Sequence, residues 1–320
     1  MPGDILSELL TYRAAGKPAA LATVVETWGS APQPVGAHLA VAADGQFAGS
    51  ISGGCVEADV ITGALDSLDD GQCRLMEFGV PDASAFAAGL ACGGTIKVLV
   101  EPLDIGSGPA STDIEQLLSA RRSRTPVAYQ VDLENWTRTL KTDAPLPATG
   151  IDGKTFTLSL LPALRVVIIG AVHITQHLAP LLRSLGHESV IIDPRAAFAT
   201  AERFPGERLI NAWPEAALEE VEIDSRTAVI TLTHNADFDD EALLGVLDSP
   251  ACYIGCLGSR RTHAKRVERL KAAGRTEDEI ARIHAPVGLD IGATSAPEIA
   301  LSIAAELTAI LHSTRASHGV

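Results

Sequence analysis

Aromatic side chains make up only 4% of the 320 residues, so any core must be filled mainly by aliphatic packing. Basic residues are also short: 25 Lys and Arg stand against 40 Asp and Glu, a net charge of -15. That argues against nucleic-acid or anionic-membrane partners, which demand clustered positive charge. The cysteines, Cys55, Cys73, Cys92, Cys252 and Cys256, are odd in number and form no small-domain framework. They fit reduced thiols in the cytoplasm. No apolar run is long enough to span a bilayer; Val166 to Ile169 is strand-sized. Met1-Pro-Gly-Asp4 has no basic n-region, so no secretory signal is expected. There is no Walker loop, no Gly-x-Ser-x-Gly elbow and no His-Glu-x-x-His. Cys252 and Cys256 have near-zinc spacing, but without a second pair or a histidine cluster no closed zinc site is expected.

What the chain does contain is cysteine beside glycine pairs. Ser50-Ile-Ser-Gly-Gly-Cys-Val-Glu57 follows an expected strand and opens an expected helix. Gly53 and Gly54 remove side chains where backbone would meet a ligand. The helix N-terminus offers unpaired N–H groups and partial positive charge, a setting for an anion. Cys55 lies in that field, which favours its thiolate. Ala91-Cys-Gly-Gly-Thr95 repeats the theme with Cys92, Gly93 and Gly94. Together the two units imply one thiol-lined, anion-accepting cleft. The alternative is two small buried side chains at tight turns. Cys73 and Cys252, within or at the start of strands, are expected to be core thiols.

Apolar content of 46% is enough for two domains. The first, residues 1–162, reads as α+β. Asp4 can cap a helix with Leu6 and Leu9 on its apolar stripe. A buried strand over Ala19 to Thr27 follows, then a hairpin around Asp44-Gly45 that delivers the chain to Cys55. Strands are expected over 74–78, 95–100, 127–133 and 155–160, and a helix over 112–122. An Ala/Gly-rich loop or short helix is expected over 83–90. The polar stretch between the last two strands reads as an exposed loop.

The second domain, residues 163–320, alternates strand and helix, the mark of a parallel sheet. Val166-Val-Ile-Ile169, a turn at Gly170 and a second strand ending at Asp193 form a βαβ unit of nucleotide-binding size. Val172 and Thr175 replace the second and third glycines of that fingerprint. A valine there should obstruct a pyrophosphate, so NAD(P) is expected to bind poorly or not at all. Later strand ends carry Thr233-His-Asn-Ala-Asp237, where His234 could orient a ligand or simply make a structural hydrogen bond. Gly255-Cys-Leu-Gly-Ser-Arg-Arg261 places Gly258 and Ser259 before Arg260 and Arg261 at a helix start: a phosphate clamp, or a glycine turn before a solvated basic helix. Pro286-Val-Gly-Leu-Asp-Ile-Gly292 is a further glycine loop.

These stretches occur in the order found in the xanthine dehydrogenase accessory (XdhC/CoxI) family, which the chain resembles over nearly its whole length. The resemblance implies an N-terminal cysteine-bearing domain and a C-terminal Rossmann-like domain. It implies a chaperone more than an enzyme, with no catalytic residues. Such a protein binds molybdenum cofactor, as molybdopterin or its nucleotide form, holds it for sulfuration and delivers it to a molybdenum hydroxylase of the xanthine or carbon monoxide dehydrogenase type. A cysteine desulfurase would be a second partner, and homo-oligomers are compatible with it. Carried over, Cys55 and Cys92 would meet the metal. Gly53, Gly54, Gly93, Gly94, Gly170, Asp193, His234, Gly258, Ser259, Arg260, Arg261 and Asp290 would line the cofactor. Soft thiolates suit a thiophilic metal. The rival readings are a nucleotide-dependent oxidoreductase and an interaction scaffold for a molybdenum hydroxylase.

Overall fold

The structure, a computed structural model, describes residues 4–29, 31, 33–79, 94–143, 145–233 and 235–316. Cys92, Gly93, His234 and the segment expected over 83–90 lie outside the described residues. The chain divides into two compact units, Met1–Pro162 and Ala163–Val320.

The first unit runs α1 (Ile5–Ala14), β1 (Ala19–Trp28), β2 (His38–Ala42), β3 (Phe47–Gly49), α2 (Glu57–Asp70), β4 (Arg74–Phe78), β5 (Thr95–Pro102), α3 (Ser111–Arg122), β6 (Val127–Asp132), β7 (Arg138–Lys141), β8 (Gly150–Asp152) and β9 (Thr155–Leu160). One antiparallel sheet has the order β3-β2-β1-β5-β4, and a second has the order β7-β6-β9-β8. The central strand β1 is buried on both faces, so its apolar run is almost continuous. Ala20, Ala22 and Val24 join Val98 and Val100 in a core with Val60 and Ala64 of α2. Ala19, Leu21 and Val25 enter another core with Leu6, Leu9, Ile114, Leu117 and Phe156. Gly63 lets α2 lie close to the sheet: a Cβ there would stand 2.5 Å from Met76 Sδ.

The polar stretch expected as an exposed loop instead holds β7 and β8. Arg138 of β7 explains part of the difference. It forms a 2.6 Å ion pair with the buried Glu101 carboxylate. It also donates to the Tyr129 hydroxyl at 2.8 Å and to Ser107 O at 2.8 Å. A charge-marked sequence was thus drawn inward by a buried counter-charge, which polarity alone does not reveal.

The second unit continues with β10 (Arg165–Ile169), α4 (His173–Ser184), β11 (Glu188–Ile192), β12 (Arg208–Ile210), α5 (Pro214–Glu219), β13 (Thr227–Thr231), α6 (Ala236–Val246), β14 (Tyr253–Cys256), α7 (Arg260–Ala272), α8 (Glu277–Ala281), β15 (Ile283–His284) and α9 (Ala296–Ala316). Its parallel sheet has the order β12-β11-β10-β13-β14-β15. The order reverses between β10 and β13, the doubly wound arrangement in which ligands meet the carboxyl ends of strands. Alternate residues of β10 feed opposite layers. Val166 and Ile168 pack with α4 and α9, and Val167 and Ile169 pack with the cluster of Val246 and Leu270. Ile303 and Leu307 of α9 are fully buried, as their spacing predicts. Among the described residues no helix is long and apolar enough to cross a membrane.

Candidate cofactor site

Cys55 is exposed, on a loop that connects β3 to α2. Gly53 and Gly54 have φ of 72° and 111°, a backbone region that favours glycine. The loop's amides are not open to an anion, contrary to expectation. Glu57 folds back and accepts from the amides of Ile51 at 3.2 Å, Ser52 at 2.9 Å and Gly54 at 2.9 Å, and from both the Ser50 and Ser52 hydroxyls. The Ser52 hydroxyl oxygen accepts from the amides of Cys55 at 3.0 Å and Val56 at 2.9 Å, and the Ser50 hydroxyl oxygen accepts from Gly53 N at 3.0 Å. Every amide from 51 to 56 therefore has a partner within the loop. The chain supplies its own anion. Burial raises the Glu57 carboxyl, but the Ser52 and Ser50 hydrogen bonds outweigh it and hold the group at about 2. Cys55 itself precedes the N-cap, Val56, and its thiol stands on this bonded pedestal.

Sequence reasoning missed Glu57 in this role, reading it only as acid complementing a helix dipole. The Ser52-to-Glu57 spacing is longer than a capping box, so the usual template does not register it. Gly94 leads directly into β5. Among the described residues no group of three or more His, Cys, Asp or Glu is placed to hold a metal ion. Cys73 is buried, with its thiol donating to Ser107 O at 3.2 Å, and burial pushes it up. It precedes β4 rather than lying within it. Cys252, expected in the core, is exposed as a residue, although its thiol donates to Thr227 O at 3.3 Å. Preceding β14 rather than lying within it, Cys252 need not fill the sheet's core.

In the second unit the Gly170 turn and Asp193 are brought together. Gly170 has φ of 113°, and a Cβ there would lie 2.8 Å from Thr233 Cγ2. Asp193 is fully buried and accepts from Ala171 N at 2.9 Å. It also receives Arg195 through Nε at 2.8 Å and Nη2 at 2.7 Å. Burial raises this carboxyl, and the Arg195 hydrogen bonds more than reverse it, leaving it below its ordinary value. The acid expected at a ribose is thus engaged by its own chain. Val172 is the N-cap of α4 and packs partly buried against the α4–α9 core.

At the start of α7, Ser259 spends its hydroxyl on the cap, accepting from Thr262 N at 3.2 Å. Arg260 and Arg261 are exposed on the first turn. Gly258 has φ of 134°. The arginine drawn inward is Arg266, only 2% exposed, which donates to Leu257 O at 3.1 Å. Asp290 is exposed in the loop before α9. That loop is secured by Gly288 N donating to Glu306 at 2.7 Å.

Residues 12–79 match the family model described as the XdhC and CoxI family, and residues 166–307 match the XdhC Rossmann domain. The chain is also 31% identical over 295 residues to the molybdenum cofactor insertion chaperone PaoD of Escherichia coli, across 92% of this chain and 84% of PaoD. The chain belongs to the XdhC and CoxI family. A second XdhC/CoxI relative, from Bacillus subtilis and named as a probable xanthine dehydrogenase subunit, is 29% identical across 90% of this chain and 92% of its own length. A crystal structure described as a xanthine dehydrogenase from Bacillus halodurans shares the fold, with a TM-score of 0.82 at 24% identity over 98% of this chain and 97% of that one. In this XdhC/CoxI chain the Gly-Gly-Cys loop lies within the first matched segment; the Gly170 turn, Asp193, the Gly-Ser-Arg loop and Asp290 lie within the second.

Proposed function

We propose that this XdhC/CoxI protein is a maturation factor that holds molybdenum cofactor for sulfuration and delivers it to a molybdenum hydroxylase. The observation that carries the reading is the exposed Cys55 thiol on a loop whose every amide is already bonded. A pedestal of this kind keeps a soft donor in one place without closing over it. The relative PaoD, which bears a cofactor-insertion name, supports the cargo class.

The fit of these residues to the cofactor is divided. Cys55 has the right chemistry for a thiophilic metal, and when bound the cofactor would supply that metal and an anionic tail. The 51–56 amides do not fit the tail, because Glu57, Ser52 and Ser50 occupy them. Arg260 and Arg261 are the exposed cations at a helix start that suit an anion instead. Cys92 is the second candidate thiol. A cysteine desulfurase is the partner class that would supply sulfur.

A nucleotide-dependent oxidoreductase fits less well. Asp193 is engaged by Arg195 and Ala171, and Val172 stands at the turn, so NAD(P) should bind poorly. The test of the main reading is Cys55→Ser in cells that make the cofactor. Purified parent should carry molybdenum and pterin fluorescence, and the variant should lose most of both while keeping its unfolding midpoint. Equal cofactor content in the two proteins would sink the role of Cys55.

A further inference from the structure

Aromatic residues are few in this chain, yet several gather at the ligand end of the parallel sheet. Phe198 follows β11, Trp213 follows β12, and Phe238 lies in α6 after β13. Phe238 is buried, but Phe198 is 41% and Trp213 52% exposed. The Arg195 guanidinium lies 4.0 Å over the Phe198 ring centroid. The buried Phe238 ring links the two exposed faces: it lies 5.9 Å from the Arg195 guanidinium and 4.6 Å, edge to face, from Trp213. Arg203 ties this cluster to the Gly170 turn, donating to Ala171 O at 3.0 Å and to Phe198 O.

Large exposed aromatic faces are costly to leave in water, and these flank the edge where open α/β sheets bind ligands. The charge state narrows the ligand. Arg195 already has Asp193 as a bidentate counter-ion, so its plane is offered for stacking more than its charge for an anion. Aromatic and guanidinium planes together take nucleobases.

We propose that the second unit binds a purine base, stacked between the Arg195–Phe198 pair and Trp213. The base is the recognised group; the sugar and phosphate add little. With Asp193 withheld and Val172 at the turn, the dinucleotide grip is missing, so the site takes a base without needing a pyrophosphate. It rests on the Rossmann unit alone and is independent of the Cys55 reading.

The test is calorimetry on the full chain with adenosine, AMP and ribose 5-phosphate. Adenosine and AMP should bind saturably with similar affinity, and ribose 5-phosphate at least tenfold more weakly. Trp213→Ala should weaken adenosine by about tenfold, from stacking worth roughly 1–3 kcal/mol per base, and Trp213→Phe should recover part of the loss. Phe198→Ala should act in the same direction. The proposal is overturned if adenosine fails to bind at millimolar concentration or ribose 5-phosphate binds as tightly as AMP. Unchanged adenosine affinity in folded Trp213→Ala and Phe198→Ala would overturn it equally.

Discussion

The Cys55 loop and the Gly170 turn solve the same local problem in different ways. Each is a glycine turn that ends a strand and opens a helix, and each pattern advertises an anion site. In each, a carboxylate from the chain occupies backbone amides. Glu57 is held by hydroxyls and amides alone, and what remains exposed is a thiol. Asp193 takes one turn amide and a bidentate arginine, and what remains exposed is a guanidinium plane. A turn that looks ready for phosphate can therefore be filled internally, and the leftover group decides what chemistry is presented.

The strongest way to break the comparison is Glu57→Ala. It would orphan the amides of Ile51, Ser52 and Gly54 beside a buried serine. Hydrogen bonds to a charged acceptor are worth about 1.5–3 kcal/mol each, so a loss of about 3 kcal/mol or more is expected. Urea unfolding should show it, together with faster hydrogen exchange at the 51–56 amides. A loss below about 1 kcal/mol would mean that the carboxylate does not organise the loop.

Arg195→Ala should cost less, about 1–3 kcal/mol, because Asp193 would keep its amide donors while losing its counter-ion. The double variant Arg195→Ala with Asp193→Asn should recover part of that loss. Failure to recover any would mean that burial of the acid is not what the arginine compensates.

Acid titration separates the two units by sign. Glu57 sits at about 2 when folded and near 4.5 ordinarily. Its contribution is full above about pH 4.5 and is lost as pH falls towards 2. Asp239 behaves oppositely. Burial, only partly offset by the Thr233 hydroxyl and Arg266, raises it to about 6. Between about pH 4 and 6 the folded protein holds a proton that the unfolded chain has released, so stability from this group falls as pH rises through that window. Comparing unfolding at pH 4.5 and pH 7, Asp239→Asn should remove this downward component and Glu57→Gln should leave it.

The smallest expected stability changes are at Arg260→Ala and Arg261→Ala, within about 0.5 kcal/mol, since both side chains are exposed. If they clamp the cofactor's tail, each variant should nonetheless retain about tenfold less cofactor, from a lost charge-assisted hydrogen bond. Cofactor retention equal to the parent would leave them as a solvated helix start.

The sequence by itself determined the alternating strand–helix order of the second unit, the hairpin before Cys55 and the βαβ turn ending at Asp193. These rest on local rules: side-chain periodicity, glycine at positive φ, and turn chemistry along a short stretch. It also carried the motifs by which the family could be named. Tertiary structure decided which groups were still available. Glu57, Asp193 and Ser259 are all acceptors that a local pattern leaves open and the folded chain uses. Arg138 and Arg266 read as surface charge, yet are drawn inward by Glu101 and by Asp239 with Leu257 O. Phe198, Trp213 and Phe238 are separated along the chain and meet only because parallel strands bring successive loops to one edge. Hydrogen-bond satisfaction and counter-charge depend on groups that lie far apart in sequence, so periodicity cannot report them.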